Sequence, residues 1–133
     1  MYSQLLEKAI KARENAYAPY SHYMVGAALL TKGGKVYTGC NVENASYSPT
    51  NCAERTAFFK AISEGERDFE AIAIVAGKEG ESLSENCTPC GVCRQVMVEF
   101  CSPDFKIVLG TPTDVKIYTL QELVPLSFTA SEL

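Results

Sequence analysis

Residues 86–94, NCTPCGVCR, place three cysteines at equal intervals of three in a chain that has six. No other stretch constrains the fold as strongly, because sulfurs that share one ion must be brought together whatever the chain does between them. Pro89 breaks the equivalence of the three. The residue before a proline is steered away from the helical region, so Thr88 is extended and Cys87 belongs to the preceding loop. Pro89 suits the first helical position, where its missing N–H costs nothing, with Thr88 as the cap. Cys90 and Cys93 then stand i, i+3 on one face of the opening turns. A helix start can offer that pair to one metal, and a third ligand must come from elsewhere.

A second cysteine stands at an expected helix start, in NCAER (residues 51–55), with Asn51 as cap, Cys52 as the first helical residue and Glu54 as the third. Free N–H groups and the positive end of the dipole favour thiolate at such positions, and thiolate is the form a metal binds. An iron–sulfur cluster with this spacing expects a further cysteine four residues after the third, and Met97 stands there. A Cys-x2-Cys pair with one distant partner fits zinc, and three protein ligands leave the fourth position open to water, as in catalytic zinc sites. Cys52 is the best third ligand because an acid, Glu54, follows it two positions later. Glu54 also has a plainer use, since Asn51-x-x-Glu54 is a capping-box-like pattern in which the carboxylate returns to the cap. Cys40, Cys87 and Cys101 read as ordinary buried thiols.

The length of 133 residues, with 47% hydrophobic and 21% charged, fits one domain over residues 1–133. The net charge of −4 comes with only scattered basic residues, so the phosphate-neutralising footprint of a nucleic-acid binder is missing. A small neutral or weakly charged substrate fits better. Charges interrupt the apolar residues of the first segment, leaving no signal-peptide core, and no apolar run approaches the length of a membrane span. The expectation is a cytoplasmic protein, where a close cysteine cluster serves a metal or catalysis rather than a disulfide frame.

Leu5, Leu6, Ala9, Ile10, Ala12 and Ala16 recur at helical spacing up to Pro19. Strands are expected at 24–30 and 35–42 across a Gly-Gly hairpin, then at 70–77, 105–110 and 114–120. Further helices are expected at 52–64, 91–101 and, broken at Pro125, 121–128. The order α-β-β-α-β-α-β-β-α implies an α/β fold with helices packed over a mixed sheet and at least one βαβ crossover.

C-x-E followed by P-C-x2-C is the three-cysteine form of a zinc deaminase signature. With AYAPYS (16–21), VGAALL, GCNVENASY (39–47), CAERTA, PCGVCRQV and LVPLSF in order, the chain resembles the small cytidine deaminases over nearly its full length. That resemblance implies a three-layer α-β-α domain with a mixed five-stranded sheet, one Zn2+ on Cys52, Cys90 and Cys93, and hydrolysis of cytidine or deoxycytidine to uridine or deoxyuridine and ammonia. It makes Glu54 the proton carrier between water, N3 and the leaving amine. It makes Asn41 and Glu43 ligands of the ribose 3′-hydroxyl, and Ala53 a backbone partner of the pyrimidine carbonyl. Tyr23 stands where the family has a phenylalanine beside the base, a departure that adds a hydroxyl. Arg55 matches an arginine that hydrogen-bonds the ligand sulfurs, offsetting the net negative charge of three thiolates on zinc, with Arg94 the second candidate. Phe128 matches an aromatic given to a neighbouring subunit's pocket, which implies a homotetramer with Ala45 and Tyr47 near the subunit boundary.

Two alternatives share parts of this pattern. Blasticidin-type and polynucleotide deaminases share the zinc scaffold, although the latter typically carry histidine at the position of Cys52. A structural zinc module needs a fourth protein ligand, Cys87 or Cys40, and has no use for Glu54.

Overall fold

The central strands are apolar almost throughout because helices cover both faces of the sheet they belong to. The computed structural model describes residues 2–133. Its elements follow the expected order: α1 (Ser3–Arg13), β1 (Tyr23–Thr31), β2 (Val36–Cys40), α2 (Ala53–Ser63), β3 (Phe69–Lys78), α3 (Gly91–Phe100), β4 (Lys106–Thr111), β5 (Asp114–Thr119) and α4 (Leu120–Leu123), with a short 3-10 turn at Ala130–Glu132. The sheet runs β2-β1-β3-β4-β5. All neighbours are antiparallel except β3 and β4, which are parallel and joined by the crossover through α3.

Alternate residues of each central strand enter different cores, as the two-residue period of a strand requires. Ala27, Leu29, Ile72, Ile74, Ile107 and Leu109 face α2 and α3, where Phe58 and Met97 are fully buried. Ala28, Ala71, Ala73, Val75 and Val108 face α1, meeting Leu5, Leu6 and Ala9. The result is three layers, α1 on one side of the mixed sheet and α2 with α3 on the other.

Helix boundaries differ from expectation where a side chain competes for the end of a helix. α2 begins at Ala53, with Cys52 extended at ψ 156° as its cap. Asn51 instead donates its amide N–H to Thr56 Oγ1 at 3.1 Å and pairs its backbone with Val42. α3 begins at Gly91, two residues after Pro89, and Cys90 rather than Thr88 is the cap, its Sγ accepting from Cys93 N–H at 3.5 Å. The last helix stops at Leu123, short of the expected 121–128. Thr119 and Glu122 close it with a capping box at its start, and beyond it Leu126 takes a left-handed φ of 53°.

Candidate active site

The site forms where the starts of α2 and α3 meet the ends of β1 and β2. α2 lies so close to β2 that only glycine fits between them: a Cβ on Gly39 would stand 2.5 Å from Ala53 O and 2.6 Å from Ala57 N. This contact sets the depth at which Cys52 and Glu54 enter the site. Both helix starts are capped by a cysteine in extended conformation; the Cys90 sulfur accepts the Cys93 N–H, whereas the Cys52 side chain makes no cap hydrogen bond.

Cys52, Cys90 and Cys93 form a group whose sulfurs all lie within 4.8 Å of one another. Cys52 Sγ and Cys90 Sγ are 3.7 Å apart. Two thiolates on a tetrahedral zinc with Zn–S bonds of about 2.3 Å stand about 3.8 Å apart, so the donor set and its spacing fit that ion. Among the described residues neither Cys40, Cys87 nor Cys101 joins this group, so these residues form no four-cysteine centre. Cys87 nevertheless lines the cleft, buried and with its thiol pushed up to about 12 by burial, the Glu54 charge adding to it.

The Cys52 thiol is lowered, first by the hydrogen bond from Cys93 and then, against burial, by Arg55 and Cys90. Cys93 shifts the opposite way, raised by its hydrogen bond with Cys52 and by burial. Arg55 donates from Nη2 to Cys52 Sγ at 3.2 Å, and its buried Nε has no partner among the described residues. Arg94 does other work, donating to Pro89 O and Leu123 O at 2.8 Å each and tying the loop before Cys90 to α4.

Glu54 stands at the second position of α2, 4% exposed. Burial pushes its carboxyl up to about 7 against its own backbone N–H; the Cys52 charge raises it further and Arg55 opposes. No side-chain hydrogen bond caps α2, so the capping-box use of Glu54 is not made. A carboxyl near 7 beside a metal-ligand group is suited to taking and returning a proton at neutral pH.

Beside the sulfurs opens a cleft of about 320 Å³, lined by Cys52, Glu54 and Cys90 together with Glu43, Ser21 and Thr50. Its size falls at the small-molecule end of binding pockets. Tyr23 and Asn41 also line it. Burial raises the Tyr23 phenol, and the neighbouring Cys87 adds to the shift. The Asn41 amide grips the start of β1, accepting from Val25 N–H at 2.9 Å and donating to Tyr23 O at 2.8 Å, which leaves it one N–H. The Glu43 carboxylate accepts Tyr20 N–H, Ser21 N–H and the Ser21 hydroxyl. Ala53, fully buried, opens α2 with an N–H that has no acceptor within the helix. Phe128 lies apart from this cleft, 59% exposed, held by its carbonyl to Gln95 Nε2 at 2.9 Å.

Ser21, Val25, Thr50, Asn51 and the loop at 86–88, Cys87 included, line the cleft without having been expected there from the sequence. Ser21 lies within the AYAPYS motif, so the motif marked the place but nothing in its residue types assigned the serine a partner.

Three close sulfurs at two helix starts, a buried carboxyl beside them and a nucleoside-sized cleft above are the arrangement of a metal-dependent hydrolytic enzyme. The chain belongs to the family described as the cytidine and deoxycytidylate deaminase zinc-binding region, whose model matches residues 1–110. It is 54% identical to the cytidine deaminase of Halalkalibacterium halodurans over 130 residues, 97% of this chain and 95% of that one. It is 49% identical to the cytidine deaminase of Sporosarcina psychrophila over 131 residues, 98% of this chain and 93% of that one. The crystal structure of cytidine deaminase from Burkholderia pseudomallei superposes with a TM-score of 0.87 at 49% identity, covering 96% of this chain and 99% of that one.

Proposed function

We propose that this protein hydrolyses cytidine and deoxycytidine to uridine and deoxyuridine with release of ammonia, in pyrimidine salvage, using one Zn2+ per subunit held by Cys52, Cys90 and Cys93. The observation that carries this is the buried Glu54 beside three sulfurs within 4.8 Å of one another, at the floor of a nucleoside-sized cleft. A zinc held by these sulfurs would supply an activated water as the nucleophile for C4 at neutral pH. Glu54 takes the proton released and delivers it to N3, then takes the proton of the new C4 hydroxyl and passes it to the C4 amine, so that the C4 carbonyl forms as ammonia leaves. Arg55 keeps Cys52 anionic and offsets part of the charge of three thiolates. Ala53 N–H meets the pyrimidine carbonyl, and Tyr23 supplies the aromatic wall beside the base. Asn41, with its remaining N–H, and Glu43 bind the ribose 3′-hydroxyl, which cytidine and deoxycytidine share.

The assembly we propose is a homotetramer in which Phe128 closes a neighbour's cleft. In support, Phe128 and Tyr47 are exposed on the single chain, at 59% and 88%, although both are large and aromatic. Aromatic residues are enriched in the interfaces between protein subunits.

Zinc quantification on the pure protein, paired with the absorbance change of cytidine becoming uridine, tests the reaction. Glu54→Gln should keep its zinc and lose turnover by about 10²- to 10⁴-fold, the usual contribution of a positioned proton carrier. Stoichiometric zinc with no deamination of any pyrimidine nucleoside by the wild-type protein would overturn the assignment.

A further inference from the structure

The sugar end of the cleft and its base wall share one hydroxyl. Ser21 donates its Oγ–H to Glu43 Oε2, while Tyr20 N–H and Ser21 N–H both donate to Glu43 Oε1 at 3.1 Å. Both carboxylate oxygens are therefore held by one turn of chain. The same Ser21 Oγ accepts Tyr23 N–H at 3.0 Å, and Asn41 Nδ2 holds Tyr23 O from the other side. Tyr23 is thus pinned at both backbone polar groups by side chains that line the cleft.

The turn that makes this possible is itself constrained. His22, between Ser21 and Tyr23, has a left-handed φ of 59°, a conformation that costs an ordinary side chain energy and persists only where its surroundings hold it. His22 N–H donates to Ala18 O at 3.0 Å, and His22 O accepts Glu79 N–H at 2.8 Å. The reversal at His22 lets Ser21 turn toward Glu43 while Tyr23 starts β1.

We propose that Ser21 is a positioning residue that aims the Glu43 carboxylate at the ribose and couples it to the Tyr23 wall, so that recognition of the 3′-hydroxyl depends on Ser21. The proposal rests on the assignment of Glu43 as a 3′-hydroxyl ligand. The physical reason is geometric. A flexible glutamate rewards a hydroxyl only if it is held in place beforehand, and charge-assisted hydrogen bonds to both of its oxygens do that holding. Ser21 supplies the one such bond that a side-chain change can remove, since the other two come from backbone.

The test is the ratio of kcat/KM for cytidine to that for 3′-deoxycytidine in the zinc-loaded wild type, Ser21→Ala, Ser21→Thr and Glu43→Gln. The ratio cancels the amount of active enzyme, so partial unfolding of a variant does not disturb it. Loss of one charge-assisted bond corresponds to about a tenfold change or more, so S21A should lower the ratio at least tenfold, toward the value for E43Q. S21T, which keeps the hydroxyl, should recover most of it. If E43Q collapses the ratio and S21A leaves it at the wild-type value, Ser21 is only structural and the proposal fails while the Glu43 assignment stands. If E43Q itself leaves the ratio unchanged, the Glu43 assignment fails and the proposal with it.

Discussion

Gly39→Ala should damage a metal centre that Gly39 never touches. The added Cβ would lie 2.5 Å from Ala53 O and 2.6 Å from Ala57 N, whereas real Cβ contacts essentially never fall under 3.0 Å. Both opposing atoms are backbone of α2, so no rotamer change relieves the clash and the helix must retreat by at least half an ångström. Cys52 caps that helix and Glu54 stands in its first turn, while Cys90 and Cys93 belong to α3 and stay behind. Metal-ligand distances tolerate about 0.2 Å, so the retreat exceeds what a three-sulfur site accepts. Overpacking of this kind costs about 1–3 kcal/mol, a fall in melting temperature of roughly 3–12 °C for a chain this size. Zinc per chain and thermal unfolding, measured on the same preparation, read out the two effects. Gly33→Ala is the control, because a Cβ there meets nothing closer than Thr31 Oγ1 at 3.8 Å. A G39A protein with wild-type zinc content and melting temperature would refute the idea that the close approach of β2 sets the depth of α2.

Cys87→Ala should retain one zinc per chain by metal analysis while Cys52→Ala loses it, because only Cys52 stands in the sulfur group. Arg55→Gln should weaken zinc binding about 10- to 100-fold in a competition titration with a chelator, through loss of the hydrogen bond to Cys52 Sγ. The Ser21 hydroxyl, followed by the two backbone donors, holds the Glu43 carboxyl below its ordinary value. A depressed carboxyl contributes its stabilisation above the unfolded value of about 4.3 and loses it only as pH falls through the lower folded value. In Ser21→Ala that acid transition should move up toward the ordinary value, visible in an NMR titration of the Glu43 side-chain carbon. An unchanged midpoint would show that the backbone donors alone hold the charge.

The order of elements was legible because local patterns dictated it. Apolar runs such as EAIAIVAG make strands covered on two faces, and LLEKAIKA makes a helix covered on one. The metal ligands were legible for a related reason: Pro89 separates Cys87 from Cys90 by local backbone sterics that no tertiary contact needs to supply. Helix starts were less legible. Asn51 and Thr88 are good caps by residue type, yet Cys52 and Cys90 take those places, since at a site where sulfurs must converge their placement outweighs a capping preference of about 1 kcal/mol.

By itself the sequence determined the chemistry available: three thiols and a carboxylate at helix starts, in a chain of net charge −4. Only the tertiary structure decided which groups meet. The strand order β2-β1-β3-β4-β5 brings Ser21 to Glu43, buries Glu54 until its carboxyl stands near 7, and leaves Phe128 outside its own cleft. These outcomes depend on distances between residues remote in sequence and on loss of water around them, and neither quantity is written in local spacing.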